Sequence, residues 1–177
     1  MSMNAILIIY KIVASVLFKN KDRHVYPGSL SIKLLDLAAE YGYLEVLKWM
    51  HYNNIGECSV EAMNKSAENG FLKVVEWLHL NRSEGSSTEA LDNASKNGHL
   101  SVVKWLHFNR TEGCTVKAID KAAYFRFIAV IEFLHFNRTE GCSCDAFDGA
   151  SFNNQINVLD WLKKNRTEGF SSKHLLQ

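Results

Sequence analysis

The chain has 177 residues, of which 47% are hydrophobic and 11% aromatic, enough to bury a core and too apolar for a disordered segment. Its 20 basic and 19 acidic residues are interspersed and leave a formal net charge of +1, so no whole-molecule field directs it to nucleic acid or to an anionic membrane.

The apolar run Ala5 to Phe18 is broken by Lys11 and is too short to span a bilayer. As a secretory leader it lacks a basic start, although Ala14-Ser15 offers a weak cleavage context. Its other reading is a helix whose face Ile6, Ile9, Val13 and Leu17 covers the exposed end of a stack of repeats, a cover that solenoids require. Lys19 to Gly28, with the single proline Pro27, reads as a polar loop. The expected organisation is a capping helix and loop over 1–28, then a repeat domain over 29–177 with five full copies from Ser31 and a partial sixth from Ser171.

The repeat is marked by Trp49, Trp77, Trp105, Phe133 and Trp161, each 28 residues after the last, and by Ser31, Ser59, Ser87, Thr115 and Ser143 at the same step. These hydroxyl residues suit the first position of a helix, where they accept a backbone N–H. From Ser87 onward, Ala90, Leu91, Ala94 and Ser95 share one helical face, with Glu89, Asn93 and Lys96 opposite. The adjacent small pair, Ala94-Ser95 here and Ala122-Ala123 in the next copy, permits close approach of a neighbouring helix.

Asn69-Gly70 and Asn97-Gly98 then reverse the chain into a second helix. There Leu72, Val74, Val75, Trp77 and Leu78 form an apolar arc and Lys73 and Glu76 the polar side. Such a pair cannot bury its own arc, so the copies are expected to stack into an all-α solenoid with the Trp series in a common buried column. Asn153, Asn154, Gln155, Lys163 and Lys164 make the last copy a polar end.

The string Ala94 to Leu106, ASKNGHLSVVKWL, resembles the ankyrin repeat, whose core runs A-A-x-x-G-H-x-x-V-V-x-x-L; it recurs as Ala38 to Met50 and Ser66 to Leu78. Two departures stand out. The step is 28 where the family has 33, and Asp36, Asn64, Asp92, Asp120 and Asp148 stand where the family motif T-P-L-H has His. The missing residues belong to the family's hairpin finger, so a tight loop with little or no β-structure is expected. The resemblance implies a non-enzymatic scaffold for protein–protein interaction, without cofactor.

His51, His79, His107 and His135 also keep the period, with Cys58, Cys114 and Cys142 seven residues after three of them. Equivalent positions of stacked helices lie ~8 to 10 Å apart, too far for donors that must each come within ~2.3 Å of one zinc, so no metal is expected. The histidines fall near a helix C-terminus, where bonds to loop backbone or the helix dipole account for them. The cysteines read as reduced and structural, which points to the cytoplasm or nucleus.

Asn81, Asn109, Asn137 and Asn165 each open a glycosylation sequon, as does Asn64. Their structural reading is that Asn ends a helix while Arg and Glu, as in Arg110 with Glu112, pair among the loops. Two further functional readings are a secreted or membrane-associated glycoprotein and a fragment of a larger multidomain adaptor.

The fourth copy departs from the pattern, because Tyr124-Phe125-Arg126-Phe127 replaces the Asn-Gly turn. A left-handed Arg126 costs roughly 1 kcal/mol or more. Tyr124 lies on the outward stripe of the first helices, between Lys96 and Phe152 and two copies after Glu68. Tyr124, Phe125, Phe127 and Phe152, rimmed by Lys96 and Glu68, are therefore the candidate contacts of a monomeric module with a protein partner. Tyr52, Leu80, Phe108 and Phe136, on the polar side of the second helices, are expected to pack where the finger is missing.

Overall fold

A computed structural model describes residues 33–172. Within them run α1 (Leu34–Glu40), α2 (Leu44–Tyr52), α3 (Val60–Glu68), α4 (Leu72–Asn81), α5 (Thr88–Lys96), α6 (Leu100–Asn109), α7 (Lys117–Tyr124), α8 (Ile128–Asn137), α9 (Cys144–Phe152) and α10 (Ile156–Asn165). No strand occurs among the described residues, so the expected loss of the finger holds. The expected N-terminal helix and loop, Ser31, and the tail 173–177 lie outside the described residues.

The local chemistry of one repeat sets its helix ends. Ser87 Oγ accepts from Glu89 N at 3.3 Å, and the equivalent bonds run from Glu61 to Ser59, Lys117 to Thr115 and Asp145 to Ser143. At the far end of α5, Gly98 takes φ +76° and the amide of His99 returns to Ala94 O at 2.9 Å, which closes the helix. Asn109 closes α6 by donating its side-chain amide to Trp105 O at 2.9 Å, and the chain then turns extended at Arg110.

Odd-numbered helices pack side by side as one layer, and each even-numbered helix backs its predecessor. The odd layer is the closer packed of the two because Ala38, Ala39, Ala67, Ala94, Ala122, Ala123 and Ala150 leave no side chain between backbones. The core between the layers comprises branched aliphatics in register, among them Leu47, Val75, Val103 and Ile131, all fully buried. Each such side chain contributes ~1.5 to 3 kcal/mol on leaving water.

The marker series forms a column, but not the buried one expected. Trp77 alone is buried; Trp49, Trp105, Phe133 and Trp161 are half-buried at the edge of the core. Histidines of the preceding repeat fill the spaces between the rings. His51 meets Trp77, His79 meets Trp105, His107 meets Phe133 and His135 meets Trp161, edge-on with centroids 5.1 to 5.4 Å apart.

The partners of these histidines also differ from expectation. The second contact of each ring is an arginine of the next repeat: Arg82 Nη1 lies 3.3 Å from His51 Nδ1, Arg110 Nη1 3.1 Å from His79 Nδ1, and Arg138 and Arg166 approach His107 and His135 likewise. Each Arg forks onto the Glu two residues on, as Arg110 does to Glu112 through Nε and Nη2. This lattice of Arg, Glu and His occupies the inter-repeat loops. Tyr52, Leu80, Phe108 and Phe136 are consequently not used as packing there and stand 69, 80, 70 and 74% exposed.

The residue at the family's His position forms a third junction. Asp92 Oδ1 accepts from Thr115 N at 2.8 Å while Oδ2 accepts from its hydroxyl at 2.7 Å, and Asp36 and Asp120 hold Ser59 and Ser143 in the same way. Asn64 serves with polarity reversed on one side, accepting from Ser87 N and donating to Ser87 Oγ, both at 3.0 Å. Each of these carboxylates or amides thus holds the cap that starts the next repeat.

Candidate functional site

With the repeats locked in register, the last turns of the odd helices bring Glu40, Glu68, Lys96, Tyr124 and Phe152 into one outward stripe. Glu68 is paired with Lys65 at 2.8 Å. Lys96 lines a groove between α5 and α7 together with Lys117, Tyr124 and Phe125. Tyr124 and Phe152 line a second groove, between α7 and α9, rimmed by Asp120, Lys121 and Asp145. Tyr124 and Lys121 form the ridge common to both grooves, and Lys121 Nζ stands 5.8 Å from the Tyr124 ring centroid.

Gly149 shapes this site and was not singled out from the sequence. A Cβ there would lie 3.0 Å from Tyr124 Cδ2, so its absence lets the tyrosine ring lean across onto α9. The preceding copies carry Lys121, Asn93 and Lys65 at that position, and a lone glycine among longer side chains was the available signal.

The turn after Tyr124 is strained where the sequence suggested. Arg126 takes φ +69°, the conformation that Gly70 and Gly98 hold at equivalent points. In those copies the ring of the following repeat lies on the glycine: His99 on Gly70 and Phe127 on Gly98, where a Cβ would come within 2.6 and 2.4 Å. Opposite Arg126 the ring is replaced by Gln155, whose amide donates to Tyr124 O at 2.6 Å and whose Oε1 is buried without a partner.

The turn also changes what joins the repeats. Asn69 and Asn97 donate to Glu40 O and Glu68 O at 2.9 and 2.7 Å, but Phe125 at the equivalent place has no side-chain N–H to offer Lys96. Its ring turns instead onto Tyr124, edge-on at 4.9 Å, and remains 45% exposed. The candidate residues therefore divide. Tyr124, Phe125, Phe152 and Lys96 meet at the two grooves; Phe127 is half-buried over Gly98 in the packing between repeats, and Glu68 lies outside both grooves.

Few donors gather for a metal. Among the described residues Cys144, Asp145 and Asp148 place ligand atoms within 4.8 Å of one another, yet Asp148 accepts from Ser171 N at 3.1 Å in the junction role described above. The thiols of Cys58, Cys114 and Cys142 are free, and burial pushes them up to about 11, 12 and 12, away from the thiolate that would react or ligate.

The sequon asparagines are committed as well. Asn81, Asn109, Asn137 and Asn165 each donate to the carbonyl four residues back at 2.7 to 2.9 Å, and Asn64 is 2% exposed. No described helix is long and apolar enough to cross a membrane.

A family model described as ankyrin repeats, in many copies, matches residues 91–135, from within α5 to within α8. No curated protein matches the chain.

Proposed function

This chain is built on ankyrin-like repeats, and we propose that it uses them as a non-enzymatic module capturing a protein partner in the groove between α7 and α9. The observation that carries this reading is the exposed pair Tyr124 and Phe152, 37 and 77% accessible, set across Gly149 and rimmed by Asp120, Lys121 and Asp145. Solvent-exposed aromatics within a charged rim are the usual anchors of protein interfaces. Phe125 and Lys96 extend the surface into the neighbouring groove.

Selection for contact also accounts for what the fourth turn gives up. It keeps a left-handed arginine and forgoes an inter-repeat amide bond, and its gain is a pair of rings in edge-on contact at the surface. The buried, protonated thiols suit a reducing compartment, the cytoplasm or nucleus. Changing Tyr124 and Phe152 together to Ser tests the site: helix content by circular dichroism stays unchanged, and capture of protein partners by the immobilised chain falls. Undiminished capture by the double variant removes these residues from the interface.

A further inference from the structure

The groove leaves unused a second apolar feature on the opposite layer. Tyr52, Leu80, Phe108 and Phe136 stand in the last turns of α2, α4, α6 and α8, 28 residues apart, and each is at least 69% exposed. Single exposed apolar side chains are ordinary on a protein surface, but four at the same place on successive helices form one aligned row.

One helical turn before each of them stands a charge: Lys48, Glu76, Lys104 and Glu132, in alternating sign. Lys104 and Glu132 are exposed, Lys48 and Glu76 partly so. In the fifth repeat the apolar row ends at Lys164, and the alternation ends with it, because Asp160 repeats the sign of Glu132. The strip is thus four units long, and the alternation of its charges shares its limits.

We propose that this strip is a homodimer interface, in which a second copy lies against it with the repeat order reversed, about a two-fold axis parallel to the helices and midway between α4 and α6. An alternating series of four, taken backwards, is opposite in sign at every place. Lys48 then faces Glu132 of the second copy and Glu76 faces Lys104, while Tyr52 faces Phe136 and Leu80 faces Phe108. A two-fold axis through α6 instead sets Lys104 against itself, Glu76 against Glu132 and Tyr52 against Lys164. Parallel repeat order, about an axis along the stack, sets each charge against its own copy or against the apolar row. Only the first arrangement is complementary in both rows, which is what a self-complementary interface requires.

The charges are available for this. Among the described residues the one ion pair these charges make, Lys48 with Glu45 at 2.9 Å, is exposed and therefore weak, and Lys104 Nζ stands 5.7 Å from the Phe133 ring. Because the second helices are less closely packed than the first, the contact centres on Leu80 and Phe108. The grooves beside Tyr124 lie on the odd-helix layer and stay open, so the dimer offers two of each. A dimer departs from the monomer expected from the sequence.

Sedimentation equilibrium on the full chain tests the arrangement. The expected mass is twice 20.1 kDa. Phe108→Asp and Lys104→Glu are each expected to weaken association by about tenfold or more, as loss of a central anchor does. The double variant Glu76→Lys with Lys104→Glu restores it, because both new charges meet opposite partners across the axis. Circular dichroism confirms that each variant keeps its helices. A monomeric wild-type chain overturns the proposal, whether Ala5 to Phe18 covers the strip or nothing does. So does a dimer indifferent to Phe108→Asp, or a charge swap that fails to restore association.

Discussion

The carboxylate of Asp120 spans the junction between two repeats, accepting from the backbone N–H of Ser143 at 2.8 Å and from its hydroxyl at 2.7 Å. One side chain therefore holds the cap of the next repeat and fixes where that repeat starts. Asp120 is only 5% exposed, and burial raises its carboxyl above the ordinary 3.8, against the two bonds from Ser143.

From that position two substitutions should differ. Asp120→Ala removes both acceptors and leaves the Ser143 N–H and O–H without acceptors, a cost of about 1 to 3 kcal/mol in urea unfolding. Asp120→Asn retains the junction, as Asn64 does with Ser87. It also escapes the penalty of a buried anion, which grows as pH rises from 3.8 through the raised value. At neutral pH it is expected to be at least as stable as the parent chain.

Acid should act on the loops with the opposite sign. Burial works against ionisation of Glu112, but the fork from Arg110 and bonds from backbone amides outweigh it and hold the carboxyl at about 2. At Glu140 the fork from Arg138 is the leading influence, burial opposes it, and the carboxyl again lies at about 2. A folded value below the unfolded one contributes stability that is complete above about 4.5 and lost as pH falls toward 2. Glu112→Gln and Glu140→Gln together should therefore flatten the acid limb of the unfolding free energy measured against pH.

His107 provides a nearer-neutral probe. Burial first and the Arg138 charge second lower its imidazole below the ordinary 6.5, and a protonated ring cannot accept from Arg138. Its contribution is present above 6.5 and lost as pH falls below that value. In an NMR titration His107 is expected below 6.5, and Arg138→Gln should move it upward. An unmoved titration would show that the guanidinium does not act on the ring.

The turns offer a test of strain. Arg126→Gly relieves a left-handed non-glycine residue and is expected to raise stability by about 1 kcal/mol. Gly98→Ala should lower it by more than that, since the new Cβ both takes φ +76° and meets the Phe127 ring within 2.4 Å. Thermal unfolding of the two variants, compared with the parent, reads out both signs.

The helix pairs, their hydroxyl caps, the Asn-Gly reversals and the loss of the finger were legible in the sequence because each rests on residues close along the chain or on a repeating period. The anomaly at Arg126 was legible for the same reason, since a turn without glycine is a local matter. Tertiary structure alone decided the pairings of Asp120 with Ser143, 23 residues apart, and of Arg110 with His79, 31 apart. Such contacts depend on how one layer is superposed on the next. Tyr52, Leu80, Phe108 and Phe136 show the limit most directly. Helical spacing placed them on the polar side of their helices, and only the filling of the loops by Arg, Glu and His determined that they stay largely exposed, with no more than the edge of a neighbouring ring against Tyr52, Phe108 and Phe136.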